Sequence, residues 1–165
     1  MSRRSDVLHF AQDWLQWVDF RAMSSELIYF FQASGAEQVP TQAEAEKSLK
    51  ESTGVWIGSS KKHWCGIFCC AILRDAGVNA RWTLKGGKIV GDGVKLTWGR
   101  PGIQPGDVAM INKSNHHFLI LGVDEKAKRY TTLEGNTAGQ MVRKRTRPFF
   151  PTDSSEAIYG YYKIL

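Results

Sequence analysis

His63-Trp64-Cys65-Gly66-Ile67-Phe68-Cys69-Cys70-Ala71-Ile72-Leu73-Arg74-Asp75-Ala76-Gly77 is almost wholly apolar from Ile67 to Leu73, and Gly77 stands where a helical C-terminal cap belongs. A helix that is apolar all round has to be buried. The rest of the chain must therefore pack around this segment. Cys65 falls at its N-terminal end, directly after a Gly-, Ser- and Lys-rich loop expected over residues 54–62.

Upstream, Val7, Phe10, Trp14, Trp17 and Val18 recur at helical spacing and predict an amphipathic helix over residues 5–20. Leu27 to Phe31 predicts a second helix ending near Gly35. Thr41-Gln42-Ala43-Glu44 has the form of a capping box, opening a polar surface helix that runs to about Ser52. Downstream the character changes. Glycines punctuate short runs of strand formers, predicting strands near 94–98, 107–111, 117–123, 130–134, 140–145 and 158–164. Phe118-Leu119-Ile120-Leu121 is continuously apolar, as suits a central strand covered on both faces. Helices followed by an antiparallel meander make an α+β fold, with N-terminal helices packed on a sheet of about five to six strands.

The 165 residues, 42% of them hydrophobic, suit one domain spanning 1–165, with a helical extension over about 1–35. No stretch approaches the ~20 apolar residues of a membrane span. Twenty-two Lys and Arg against 16 Asp and Glu leave a net charge of +6, which attracts polyanions such as nucleic acid or an acidic envelope. Three cysteines, two of them adjacent (Cys69, Cys70), make a poor disulfide framework and fit a reduced compartment or a single reactive thiol. Arg3 and Arg4 look like a basic leader, but Asp6, His9, Gln12, Asp13 and Gln16 interrupt the apolar run and no small-residue cleavage site follows. The expectation is therefore a protein without a signal peptide, cytoplasmic in its producer, reaching any envelope target by a leaderless route.

Chemistry starts at Cys65, because the amides of a helix N-terminus favour a thiolate and can also hold an oxyanion. Cys69 and Cys70, inside the helix, read as inert core. A nucleophilic thiol needs a base and an orienting partner for that base. Of the four histidines, His9 lies on the first helix and His63 is two residues from the thiol, while His116 and His117 open the most apolar strand. Strand alternation sends His116 and His117 to opposite faces, so at most one is expected to address Cys65. Glu134, ending the next strand, is expected beside the imidazole. Trp56, Trp64, Trp82 and Trp98 are candidate groove walls, though buried aromatics of this kind usually belong to a core.

Trp64-Cys65-Gly66-Ile67-Phe68, Pro105-Gly106-Asp107-Val108, His117-Phe118-Leu119-Ile120 and Leu133-Glu134-Gly135-Asn136-Thr137 together resemble the CHAP family. These are cysteine, histidine-dependent amidohydrolases and peptidases with a papain-like fold, related to NlpC-type cell-wall hydrolases. The resemblance implies Cys65 as nucleophile, His117 as base and Glu134 as the residue orienting it, with Asn136, His116, Trp64 and His63 in support. It implies peptidoglycan or a peptide as substrate, no cofactor and no metal, and, for a delivered antibacterial effector or lysin, a cognate inhibitor (immunity) protein as partner. Gly106-Asp107 is expected to be structural. The family's amide side chain before the cysteine is missing here, since neither Gln nor Asn occurs between Gly54 and Cys65. The expected oxyanion donors are then the Cys65 N–H and a second group from His63, Trp64 N–H, Ser59 or Ser60.

Three other readings remain. A nucleic-acid-binding domain could use Arg143, Arg145 and Arg147, which share a face if they lie on a strand. A zinc site could draw on His63, Cys65, Cys69 and His116 or His117, without the paired spacing that makes such sites specific. The same fold could also be an inactive recognition module or an acyltransferase.

Overall fold

A computed structural model describes residues 3–16, 19–113 and 115–165. In chain order the elements are α1 (Arg3–Leu15), β1 (Phe20–Arg21), α2 (Ser24–Ala33), α3 (Gln42–Ser48), β2 (Val55–Ile57), β3 (Ser60–Lys62), α4 (Cys65–Asp75), β4 (Arg81–Thr83) and β5 (Lys88–Val90). Then follow β6 (Val94–Trp98), β7 (Val108–Ile111), β8 (His116–Asp124), β9 (Arg129–Thr137), β10 (Met141–Pro148) and β11 (Gly160–Ile164). Seven strands form one antiparallel sheet in the order β1-β10-β9-β8-β7-β11-β6, and two small hairpins, β2-β3 and β4-β5, stand apart from it.

The apolar segment is helix α4, every residue of which from Cys65 to Leu73 is buried. It lies across β8 and β9, with α1 and α2 packed on its other sides. Val108 and Met110 of β7, Leu119 of β8 and Leu133 of β9 meet it in one core. Their neighbours Ala109, Ile111, Phe118 and Ile120 turn to the opposite face, where Tyr130 and Tyr161 complete a second apolar cluster. Both faces of β8 are thus covered, which is why Phe118, Leu119 and Ile120 are each fully buried.

Close approach of helix to sheet depends on Gly135. A Cβ there would lie 2.6 Å from the Trp64 ring and 2.9 Å from Phe68 Cβ. The N-terminal helices belong to the same core, contributing Val7, Ala11, Leu27, Phe30 and Phe31. The buried carboxylate of Asp107 ties the ends of the chain together. It accepts from Arg4, from the Ile164 amide at 3.0 Å and from the Gln104 amide at 2.9 Å. That is the structural role expected of the Gly106-Asp107 pair.

Several boundaries differ from those the sequence suggested. The first helix stops at Leu15 and Phe20 enters a strand instead; Trp17 and Val18 lie outside the described residues. The capping box forms, with Thr41 N–H donating to Glu44 Oε2 at 2.8 Å, but its helix ends at Ser48. The loop at 54–62 is a hairpin. The six expected strands are β6 to β11, and the seventh is the two-residue β1. The meander is broken by β11, which inserts between β7 and β6 and pairs with both.

Candidate active site

Helix α4 begins without a side-chain cap: Trp64, the N-cap residue, has φ −107° and ψ 8°, and among the described residues no side chain bonds the terminus. The Trp64 carbonyl accepts the first helical bond, from the Phe68 amide at 2.8 Å. The amides of the first turn therefore point outward beside the Cys65 sulfur, as at any helix start. The next residue is glycine. A Cβ on Gly66 would lie 2.2 Å from the Trp82 ring and 3.2 Å from His117 Cγ, so its absence lets both rings close on the helix end.

Cys65, 3% exposed, lies in a crevice of about 220 Å³ bordered by Lys62, His63, Trp82, Gly86 and His117. His117 sits on the helix face of β8 with Leu119. Its ring is edge-on to Trp82 at 5.2 Å and stacked on Tyr162 at 6.2 Å. Its Nε2 is buried and has no hydrogen-bond partner among the described residues. His116 takes the opposite face, and its Nε2 is 2.8 Å from Glu134 Oε2.

Both imidazoles nevertheless bear on the charge of the thiol, although of the two only His117 borders its crevice. His116 is the first residue of β8, so its ring lies at the end of the sheet, where the helix begins. Burial pushes the Cys65 thiol up, but hydrogen bonds from His116 and then His117, with their charges, outweigh it and hold the thiol at about 5. Burial pushes His116 down, and its bonds to Cys65 and Glu134 raise it against that to about 9. A thiolate beside an imidazolium is the state these opposing effects favour at neutral pH. Cys69 and Cys70 go the other way: burial drives Cys69 well above the usual thiol range and Cys70 to about 12.

Glu134 departs from the expected arrangement. Its carboxylate engages His116, not His117. Ahead of the bulge between Ile120 and Gly122, the even-numbered residues of β8 and β9 share a face, as the pairing of Ile120 with Thr132 shows. The rest of its bonding capacity is filled by Arg147, through Nε at 2.7 Å and Nη2 at 2.8 Å, and by the Thr132 hydroxyl at 2.7 Å. Burial would raise this carboxyl, yet Arg147, His116 and Thr132 hold it at about 2. The result is a hydrogen-bonded line, Arg147–Glu134–His116, whose imidazole in turn favours the Cys65 thiolate.

Asn136 supports a different histidine. Its Oδ1 accepts from the Gly54 amide at 2.7 Å while its Nδ2 lies 3.2 Å from His63 Nδ1, on the crevice rim. Of the four tryptophans, Trp82 alone borders the crevice. Trp64 is fully buried, donating Nε1–H to Gln140 Oε1 at 2.7 Å; Trp56 is half-buried beneath Lys47; Trp98 is 61% exposed on β6. Gln140, which also donates to the Ser48 and Gly54 carbonyls, was not anticipated as the buried anchor behind Cys65. Nor was Arg147 as the partner of Glu134. The alternating Arg143–Arg147 stretch carried the signal, because strand period two puts Arg143, Arg145 and Arg147 on one face. Which face that is depends on a register broken by a bulge between Met141 and Arg143.

Among the described residues no group of three or more His, Cys, Asp or Glu side chains is arranged to hold a metal ion. No described helix is long and apolar enough to cross a membrane. Set against protein-family models, curated proteins and solved structures, the chain matches none.

Proposed function

We propose that the chain is a cysteine hydrolase of amide bonds, a papain-like enzyme of the CHAP kind acting on peptidoglycan stem peptides. The observation that carries this reading is the Cys65 sulfur at an uncapped helix start, sharing one crevice with the His117 imidazole and drawn to its thiolate by His116, whose ring is held 2.8 Å from a buried carboxylate. The order of motifs along the chain supports the family, and the basic net charge suits an envelope rich in carboxylate and phosphate.

The roles follow from the contacts. Glu134 fixes the ring of His116 and favours its imidazolium, so His116 rather than His117 is the better-supplied base. His116 accepts the Cys65 proton, and the thiolate attacks the amide carbon. Negative charge developing on the carbonyl oxygen is met by the first-turn amides of α4, beginning with the Cys65 N–H. His116 returns the proton to the departing amine, leaving a thioester. Water, deprotonated by His116, then releases the acid and restores the thiol. His117, whose ring borders the crevice, would donate to the same oxygen and supply the side-chain donor that the missing glutamine would otherwise give.

The test is digestion of purified sacculi followed by mass analysis of soluble fragments. Wild type releases fragments with new amine and carboxyl ends, and folded Cys65→Ala releases none. Sacculi left intact by wild type, together with no cleavage of isolated stem peptides, would defeat the reading.

A further inference from the structure

The crevice walls carry charge of one sign. β3 supplies Lys61 and Lys62 to its lining, and no Asp or Glu is among its bordering residues. Across the opening stands the β4-β5 hairpin, whose Gly86-Gly87 turn borders the crevice and is flanked in sequence by Lys85 and Lys88. The nearby acids are already engaged. Glu51 pairs with Lys61 at 3.2 Å, while Glu37 accepts from the Leu84 amide and pairs with Arg81 at 3.7 Å. Lys62, half-buried, has no ion-pair partner among the described residues, so its charge is uncompensated in the lining of the crevice that holds Cys65. Field from such a cation is strengthened inside a low-dielectric cleft and acts on whatever group is seated there.

We propose that the crevice selects acyl substrates bearing a carboxylate close to the scissile carbonyl, with Lys62 as the principal counter-charge and Lys61 as a secondary one. This rests on the cysteine-hydrolase reading and narrows it: a stem peptide with a free carboxylate next to the cut bond is taken, and its amidated counterpart is disfavoured. Lys62 is a specificity-determining residue, not part of the bond-breaking set.

Alkylation of Cys65 tests this without requiring turnover. Iodoacetate and iodoacetamide present the same leaving group with and without a carboxylate, and peptide mapping reports which cysteine reacts. The ratio of iodoacetate to iodoacetamide rate at Cys65 is compared among wild type, Lys62→Gln, Lys62→Arg and Lys126→Gln. Lys126 lies exposed in the β8-β9 turn, so its variant changes net charge equally. Any preference due to the His116 imidazolium is common to all four and cancels. The ratio is expected to fall about threefold to tenfold in Lys62→Gln, to recover in Lys62→Arg, to stay unchanged in Lys126→Gln, and to shrink with added salt. If Lys62→Gln matches Lys126→Gln while Cys65 still alkylates, the carboxylate proposal is overturned and the nucleophile stands. If neither reagent labels Cys65, the cysteine-hydrolase reading itself fails, and the proposal with it.

Discussion

At Cys65 two effects of opposite sign meet, burial favouring the neutral thiol and two imidazoles favouring the thiolate, and the imidazoles win. The pH dependence of kcat/KM should therefore be a broad bell. It rises as Cys65 ionises near pH 5 and falls as His116 loses its proton near pH 9. Glu134→Gln removes the charge that sustains the imidazolium, so the alkaline limb moves to lower pH and the plateau narrows from that side; an unchanged profile would show that Glu134 is only a packing residue. His116→Ala should lower kcat by about a hundredfold to ten-thousandfold, the usual worth of a positioned base. His117→Ala should cost less, because the backbone amides remain in place. The reverse ranking would reassign the base to His117, as the family pattern alone suggested. The resemblance named Cys65, His117 and Glu134 as a set, and the structure brings the Glu134 carboxylate to His116 instead. Which histidine the carboxylate reaches is a matter of strand face and register, and two adjacent histidines are told apart only by structure.

Helix α4 and the two strands beneath it meet through glycine at two points, and these should respond differently. Gly135→Ala drives a Cβ against Trp64 and the Phe68 stem, neither of which has room to move. It should lower the free energy of unfolding by roughly 1–3 kcal/mol, read from urea denaturation. Gly66→Ala meets the far edge of the Trp82 ring, which can swing aside. The expected outcome there is a smaller stability loss with a large loss of activity, since Trp82 and His117 are displaced from the crevice. Equal effects of the two substitutions on activity would mean that the crevice is not shaped by Gly66. The helix itself was legible because its apolar run admits no exposed face. The β2-β3 and β4-β5 hairpins were not, since their three-residue strands are too short to show alternation. Yet these hairpins make the walls of the crevice.

Across the molecule as a whole, Asp107 joins the first helix to the last strand. Asp107→Ala leaves Arg4 and the Ile164 amide without their partner and should cost about 2–4 kcal/mol, lowering Tm without altering the pH profile of the folded fraction. Stability should also depend on acid through Glu134. Its carboxyl, held at about 2 against an ordinary 4.5, contributes stability that is complete above pH 4.5 and is lost as pH falls through 2. Glu134→Gln should therefore be less stable at neutral pH and less sensitive to acid over that window. Between pH 6.5 and 9, His116 loses its contribution while Cys65 gains one, so the pair leaves the neutral limb nearly flat. The α+β class and the six long strands were readable from composition and periodicity. The insertion of β11 between β7 and β6 was not, because nothing local encodes a pairing between strands so far apart in the chain. The fold serves one chemical state, and that state can be watched alone: the ultraviolet absorbance of the Cys65 thiolate, taken as wild type minus Cys65→Ser, titrated with pH. Half-ionisation near pH 5 is the predicted result; a midpoint at the value of an ordinary free thiol, ~8.5, would contradict it.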